Sequence, residues 1–309
     1  MRIGIDIGGT KIITGLVDES GLVTRKKKIP TEKEKGYTGI KDNIAGLIKT
    51  IVEESDIEIE RVGVACAGQI DKTTENILFS PNLDWHNVPL KRDIETLCGI
   101  DTFIENDVNA AVYGEWKFGL KEVPDDVIGV FMGTGIGGGI IINSRLYRGF
   151  SHVGGELGHI TVNPHGYRCR CGNTGCFEAY CGGSYIIERV RDEIDEGYRG
   201  KIWDIIEGNP DLLHTGHIEE ACLMEDILCK KIWREVIEYM GAALASLVNL
   251  LNPEVIILGG GVIYGSKYFI EDVKAVLEKR AMQASLAGLK IEKAQLGEDA
   301  GIVGAAFAE

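Results

Sequence analysis

The sequence has few basic residues for its number of acidic ones. Its 309 residues include 33 Lys and Arg against 47 Asp and Glu, a formal net charge of −14 at pH 7. Such a charge disfavours binding to a phosphate backbone unless a local basic patch compensates for it. The basic run at 26–28 is short, and we interpret it as the solvated end of a strand. We therefore expect no nucleic-acid partner.

The sequence also lacks an apolar run of membrane-spanning length. The most apolar segment, 240–251, is interrupted by Ser246 and Asn249 and is too short to cross a bilayer. The first residues alternate like a strand and contain no apolar core of a signal peptide. We expect no membrane partner and a cytoplasmic location.

A disulfide framework is not expected either. Hydrophobic residues make up 44% of the chain and charged residues 26%, which is typical of a globular protein and excludes disorder and collagen. The length predicts two domains. Four of the eight cysteines lie within thirteen residues, at 169–181, which indicates a metal or reactive site.

Two halves of the chain repeat one order of predicted elements. The first half has strands at 3–7, 11–17, 22–29, 62–66 and 102–104, with helices at 40–54 and 108–116. The second half has strands at 127–132, 140–142, 255–258 and 289–294 and a helix at 300–308, with a helical insertion at 184–229 and a core helix at 230–251. We predict a duplicated α/β unit, with ligands bound in a cleft at the carboxyl ends of the strands.

Two glycine-rich turns follow strands in equivalent positions. Residues 133–138 fit G-x-G-x-x-G, but a predicted strand follows them instead of the helix of a dinucleotide-binding fold, which argues against a nicotinamide dehydrogenase. Hairpin turns of this kind expose backbone N–H groups to an anion, and two of them favour a polyphosphate. A third glycine run, 259–261, suits a nucleoside, and Asp6 is placed to hold Mg²⁺. The predicted ATP-binding residues are Asp6, Gly8, Gly9, Thr10, Lys11, Gly133, Thr134, Gly135, Gly137, Gly260 and Gly261.

Asp107 follows a predicted buried strand and begins a helix. Aspartate is a good helix N-cap, so capping is one interpretation. Its polar neighbours Glu105, Asn106 and Asn109 favour a second role, in which Asp107 accepts a hydroxyl proton as the oxygen attacks the γ-phosphorus of ATP. The two roles are compatible.

Four residues have the composition of a structural zinc site. His159, Cys169, Cys171 and Cys176 supply one nitrogen and three sulfurs at spacings that can close a tetrahedron. Cys181 and His165 are competing ligands, and reduced thiols beside a loop histidine are the alternative. The remaining cysteines are expected to be core thiols; they are Cys66, Cys98, Cys222 and Cys229.

The motifs together resemble the ROK family of sugar kinases, in particular its ATP-dependent glucokinases. They are Asp6-Ile-Gly-Gly-Thr-Lys11, Glu105-Asn-Asp-Val-Asn-Ala-Ala111, Gly133-Thr-Gly-Ile-Gly-Gly-Gly139, Gly155-Glu-Leu-Gly-His159 and Cys169-Arg-Cys-Gly-Asn-Thr-Gly-Cys-Phe-Glu178, in that order along essentially the whole chain. The resemblance implies an actin/hexokinase-like (ribonuclease H-like) ATPase fold with a zinc-bearing insertion, and transfer of the ATP γ-phosphoryl to a hexose, at O6 for glucose. It implies Asp107 as general base, the four zinc ligands above and a homodimer or homotetramer. The implied sugar contacts are Asn82, Asn106, Glu156, His159 and Glu178.

The expected domains are 1–118, with a helix at about 299–309 packing back on it, and 119–298. Alternative activities are phosphorylation of fructose, mannose, N-acetylglucosamine or N-acetylmannosamine, or a sugar-responsive regulator without catalysis. The presence of Asp107, and a first motif too near residue 1 for a preceding DNA-binding domain, argue against the regulator.

Overall fold

Two five-stranded sheets with the same strand order organise the protein in this computed structural model, which describes residues 1–55, 57–266 and 269–309. The strands are β1 (Arg2–Ile7), β2 (Lys11–Val17), β3 (Val23–Pro30), β4 (Arg61–Cys66), β5 (Gln69–Ile70), β6 (Ile77–Ser80), β7 (Trp85–Val88), β8 (Thr102–Asn106), β9 (Val127–Met132), β10 (Ile136–Ile142), β11 (Arg145–Leu146), β12 (Val255–Gly259) and β13 (Lys290–Lys293). The sheets have the orders β3-β2-β1-β4-β8 and β11-β10-β9-β12-β13, and β5, β6 and β7 form a smaller third sheet. The predicted duplicated α/β fold is confirmed.

Helices follow the strands in both halves. They are α1 (Gly36–Ser55), α2 (Leu90–Cys98), α3 (Asp107–Gly114), α4 (Phe177–Cys181), α5 (Gly183–Asp195), α6 (Lys201–Ile205), α7 (Thr215–Leu223), α8 (Ile227–Leu251), α9 (Gly261–Gly265), α10 (Phe269–Arg280), α11 (Gln283–Leu286) and α12 (Ala300–Phe307). Within the described ranges, no helix combines the length and the apolar character needed to cross a membrane.

The chain divides into two units. Unit 1 comprises 1–127, 139–155 and 294–309, and unit 2 comprises 128–138 and 156–293. The domain boundaries expected from the sequence stay a prediction.

The core of unit 1 forms between its sheet and α1. Ile3, Ile5 and Ile7 alternate along β1, so their side chains share one face of the sheet. The buried isoleucines of α1 recur at three- and four-residue intervals and form one apolar stripe. In the parallel strands β1, β4 and β8, Asp6 pairs with Ala65, and Ala65 pairs with Glu105.

α12 packs unusually close to its neighbours in unit 1. A Cβ at Gly304 would overlap the carbonyl of Ala110 in α3, and one at Gly63 in β4 would overlap the carbonyl of Ala305. Every residue of α12 is buried. Because glycine has no Cβ, the backbone of α12 can contact the backbones of α3 and β4 directly.

Some predicted boundaries were wrong. The glycine turn expected at 133–139 is shorter, because β10 begins at Ile136; Gly138 and Gly139 lie in the strand, where Leu157 and Val112 leave no room for a Cβ. The long helix begins at Ile227 and not at residue 230, because Asp226 caps it by accepting the N–H of Cys229 at 3.0 Å.

Candidate active site and metal centre

The first glycine turn, between β1 and β2 of unit 1, is fixed by the end of β3. Gly8 N–H donates to the Lys11 carbonyl at 3.0 Å, and buried Thr31 donates its hydroxyl to the Gly8 carbonyl at 2.7 Å. Asn82 lies beside this turn, since a Cβ built at Gly9 would be 3.4 Å from the Asn82 Cβ. The turn and one predicted sugar contact are therefore neighbours. Nothing near Thr31 in the sequence predicted its role.

Lys11, in the same turn, is paired with an acidic turn that precedes α12. Its Nζ lies 2.5 Å from Glu298 Oε1, and Lys28 Nζ lies 3.3 Å from the same oxygen. Hydrogen bonds from these two lysines lower the pKa of Glu298 to about 2. Lys26 pairs with Asp299 at 2.5 Å. The basic run at 26–28 lies within β3 and is largely exposed to solvent, as expected, and its lysines pair with acidic residues at the surface.

Asp6 is a half-buried carboxyl group at the end of β1. Burial raises its pKa to about 7, with a further increase from the charge of Asp107 and an opposing effect of Lys11. A carboxyl group that resists ionisation in the free protein is readily ionised by a bound cation. Asp6, close enough to Asp107 to feel its charge, stays the residue predicted to hold Mg²⁺.

Asn106, and not Asp107, caps α3. Its Oδ1 accepts from Val108 N–H at 3.0 Å and Asn109 N–H at 3.1 Å, and its Nδ2 donates to the Gly68 carbonyl at 3.2 Å. Asp107 is the first residue of α3 and is half-buried. The capping role considered for Asp107 belongs to Asn106.

Glu105 is a buried acid at the end of β8 that supports this helix start. Its Oε1 accepts from Asn106 N–H at 2.9 Å and from Asn109 Nδ2 at 3.1 Å, and Arg148 Nε donates to its Oε2 at 2.6 Å. The ion pair compensates the cost of burying the carboxylate. Sequence reasoning missed Arg148, because the pairing joins residues 43 positions apart.

The second glycine turn, in unit 2, is held by the start of α5. Gly183 N–H donates to the Gly133 carbonyl at 2.9 Å, and Ser184 donates both its N–H and its hydroxyl to the Thr134 carbonyl at 2.9 Å. Ser184 was also missed. Gly137 lies inside β10 and not in the turn.

Glu178 of α4 lies against the same turn. Its Oε2 accepts from Ile136 N–H at 2.9 Å, and a Cβ at Gly135 would overlap that oxygen. Gly260, at φ +94°, packs on the backbone of Met132, and Gly261 begins α9. In unit 2, a predicted sugar contact is thus adjacent to a predicted phosphate turn.

The predicted sugar contact Glu156 precedes a short 3₁₀ turn, Leu157–His159, and the predicted contact His159 is its last residue. His159 N–H donates to the Glu156 carbonyl at 3.0 Å, and the Glu156 side chain is exposed. The turn fixes the spacing of the two residues.

The four predicted zinc ligands meet in unit 2. Their ligand atoms lie within 4.8 Å of one another. Cys171 and Cys176 sulfurs are 3.7 Å apart, and His159 Nδ1 is 3.7 Å from Cys169 Sγ. A tetrahedron with metal–sulfur bonds of about 2.3 Å has edges of about 3.8 Å, so the arrangement fits zinc.

The surroundings of the sulfurs support metal binding. A hydrogen bond from the Asn173 backbone lowers the pKa of Cys171, whereas burial raises the pKa of Cys176 to about 12, so metal binding must displace its proton. Cys181 is buried outside the group, with its thiol on the Val236 carbonyl. His165 is also outside the group. Neither competing ligand joins the other four.

Comparison with known proteins gives consistent matches over the whole length. The model of the ROK family matches residues 2–308. A glucokinase of Streptomyces coelicolor is 34% identical over 99% of this chain and 96% of its own length, and a glucokinase of Thermotoga maritima is 34% identical over 98% and 95%. A xylose repressor of Caldicellulosiruptor bescii is 32% identical over 98% of this chain and 76% of its own length.

Two solved structures of ROK family kinases are similar to this chain over nearly its whole length. A ROK family glucokinase from Streptomyces griseus in complex with glucose and AMPPNP has a TM-score of 0.83 at 36% identity and covers 99% of this chain and 97% of its own. A ROK hexokinase from Thermus thermophilus has a TM-score of 0.84 at 29% identity, with 99% and 96% covered.

Proposed function

The chain belongs to the ROK family, and on that premise we propose that it is an ATP-dependent hexokinase that phosphorylates glucose at O6. The observation that carries the proposal is the full-length similarity of the chain to glucokinases, one of them bound to glucose and AMPPNP. The chain also has Asp107, the two glycine turns and the four clustered zinc ligands that such a kinase is expected to have. An actin/hexokinase-like fold and a sugar kinase chemistry are shared across these relatives.

Asp107 acts as the general base of this reaction. It begins α3 directly after β8, it is relieved of capping by Asn106, and its negative charge contributes to the raised pKa of Asp6. A carboxylate here accepts the proton of the sugar hydroxyl as its oxygen attacks the γ-phosphorus.

The phosphates of ATP bind to backbone N–H groups at the two glycine turns. Because the chain carries a net charge of −14 and Lys11 is paired with Glu298, attraction of the nucleotide depends on these N–H groups and on Mg²⁺ at Asp6. Gly260 and Gly261 are the proposed nucleoside contacts; Gly261 has open space around it, whereas Gly260 packs on the backbone of Met132.

The proposed sugar contacts are Asn82, Asn106, Glu156, His159 and Glu178. A site that pairs every hydroxyl rejects epimers strongly, because an epimer leaves a polar group unpaired. His159 Nδ1 faces the Cys169 sulfur, which leaves Nε2 for a sugar hydroxyl. Zinc held by His159, Cys169, Cys171 and Cys176 would orient this ring and stabilise its loop.

The choice of hexose is the finest part of the proposal. The five proposed contacts do not by themselves select one stereochemistry, so fructose, mannose and the N-acetylhexosamines are the alternative substrates. The similarity to a xylose repressor favours, as second candidate, a sugar-responsive regulator without catalysis. We also propose a cytoplasmic location and a homodimer or homotetramer. The proposed domains are 1–118 with 299–309, and 119–298.

A coupled assay with Mg²⁺·ATP across a panel of glucose, fructose, mannose, N-acetylglucosamine and N-acetylmannosamine tests the proposal. We expect the highest kcat/KM for glucose, with formation of glucose 6-phosphate. Turnover of another sugar at higher kcat/KM would replace glucose as substrate. Saturable sugar binding without turnover of any of them would favour the regulator.

A further inference from the structure

The first turn of α5 touches both the metal-binding loop and the second glycine turn. Ser184 donates its N–H and its hydroxyl to the Thr134 carbonyl at 2.9 Å. The next residue, Tyr185, donates its hydroxyl to Cys169 Sγ at 3.6 Å. Two adjacent residues of one helix therefore contact two functional segments of unit 2.

Tyr185 is tied into the metal loop by a second hydrogen bond. Its hydroxyl accepts from Arg170 N–H at 2.8 Å, and its side chain is buried, with 7% exposed. Hydrogen bonds in such a site are costly to leave unmade, because no water replaces the lost partner. The Tyr185 hydroxyl is thus fixed by the loop that carries Cys169 and Cys171.

Arg170 adds an exposed contact along the same path. Its Nη1 donates to Ser184 Oγ at 3.1 Å, its Nη2 pairs with Glu188, and its guanidinium lies 4.8 Å from the Tyr185 ring centroid. Exposed ion pairs contribute little to stability. The buried Tyr185 hydroxyl is the stronger connection.

We propose that Tyr185 and Ser184 are positioning residues through which occupancy of the metal site sets the affinity for the nucleotide. A metal-bound Cys169 thiolate is a stronger acceptor for Tyr185 than a thiol is, so the metal fixes the first turn of α5. Ser184 in that turn then holds the Thr134 carbonyl and with it the backbone of the 133–135 turn, which is closed by the Gly133 N–H donating to the Gly135 carbonyl at 3.0 Å. The inference rests on the proposed function, because that turn must bind the phosphates.

Linkage makes the effect reciprocal. If zinc tightens nucleotide binding by some factor, the nucleotide tightens zinc binding by the same factor. A metal loop with no connection to the glycine turn would give a factor of one in both directions. The two affinities are therefore the quantities to measure.

The test uses the full chain and two readouts that do not depend on turnover. Calorimetry gives the Kd of a non-hydrolysable ATP analogue with excess Mg²⁺, before and after treatment with a zinc-selective chelator. Competition with a chromophoric chelator gives the Kd of zinc, with and without the analogue. The variants are Tyr185→Phe, Ser184→Ala and Ser184→Thr. Tyr167→Phe is the control, because Tyr167 lies in the same loop but its hydroxyl donates to Glu235.

We expect Tyr185→Phe to weaken zinc binding by about 10- to 100-fold and to weaken nucleotide binding with it. Ser184→Ala weakens nucleotide binding by about two- to tenfold and leaves zinc affinity in the absence of nucleotide unchanged, since it removes one hydrogen bond. Ser184→Thr keeps the hydroxyl and should therefore retain the wild-type nucleotide Kd. Tyr167→Phe should change neither the nucleotide Kd nor the zinc Kd. In the wild type, chelation of zinc weakens nucleotide binding.

If the wild type binds the analogue but neither chelation nor Tyr185→Phe changes the nucleotide Kd, the inference is overturned and the proposed function stands. An unchanged nucleotide Kd in Ser184→Ala overturns the second half of the path. If the zinc-loaded wild type does not bind the analogue at all, the proposed function itself fails and the inference fails with it.

Discussion

The Oε2 atom of Glu178 accepts a hydrogen bond from the Ile136 N–H at 2.9 Å. Glu178, which is expected to contact the sugar, therefore also supports the glycine turn that is expected to contact the phosphates. One carboxylate oxygen is engaged by the backbone and the other can accept a sugar hydroxyl. We therefore expect Glu178 to couple the binding of the two substrates.

Replacing Glu178 by Ala should therefore impair binding of both substrates. Loss of a hydrogen bond to a charged group costs about 1.5–3 kcal/mol, so we expect kcat/KM for glucose to fall by about 10- to 150-fold and KM for ATP to rise. Steady-state kinetics with each substrate varied in turn measures both effects. Glu271→Ala is the matched control, because Glu271 is exposed on α10. A change in the glucose parameters alone would contradict the support of the turn.

Asp6 predicts a pH dependence of stability. Its pKa is about 7 in the folded protein and near 3.8 in the unfolded chain, so the folded state retains a proton that the unfolded state has lost. Stability therefore falls as pH rises from about 4 to 7, and the full penalty is present above pH 7. Asp6→Asn removes it, and we expect a gain of up to about 4 kcal/mol at pH 8 and little at pH 4.

Urea unfolding of the ligand-free protein at both pH values measures this gain. Asp84→Asn serves as the control, because the Asp84 side chain is 98% exposed. An equal effect of Asp6→Asn at pH 4 and pH 8 would show that burial does not hold the proton on Asp6.

Metal removal should act on stability and on sugar binding together. His159 belongs both to the ligand group and to the expected sugar contacts, so a chelator that removes zinc should lower the Tm and weaken glucose binding. Elemental analysis, thermal unfolding and glucose titration measure these changes. Cys98→Ala should retain about one zinc per chain, whereas Cys176→Ser should not. Absence of stoichiometric metal from protein purified without added zinc would contradict the zinc assignment.

The close packing of α12 makes a prediction that does not depend on function. Gly304→Ala places a methyl group onto the Ala110 carbonyl, so the backbones must separate, at a cost of about 1–3 kcal/mol or more. Gly46→Ala is the matched control, since Gly46 is exposed in α1 with open space around it, and there alanine should stabilise by about 0.5–1 kcal/mol. Denaturant unfolding of both variants distinguishes the two signs.

The regular parts of the fold were predictable from local patterns. The apolar run Val127–Met132 forms the strand predicted for it, and the repeated order of elements corresponds to two sheets of the same strand order. Both results depend on short-range periodicity and composition, which a sequence displays directly.

The contacts that position the site were harder to predict. The pairing of Lys11 with Glu298 joins residues 287 positions apart, and the hydrogen bonds of Ser184 to Thr134 join segments that only the folded sheet brings together. The capping of α3 by Asn106 depends on a choice between two adjacent residues that both cap well. Tertiary geometry decides such cases, and local sequence does not.

The most direct test of the central claim is the turnover of Asp107→Asn, measured with Mg²⁺·ATP and glucose on protein whose glucose affinity is measured in parallel. Removal of a general base that has little part in sugar binding should lower kcat by about 10²- to 10⁴-fold while the glucose Kd stays near that of the wild type. A kcat close to the wild-type value in a variant that still binds glucose would contradict the assignment of Asp107 as the base.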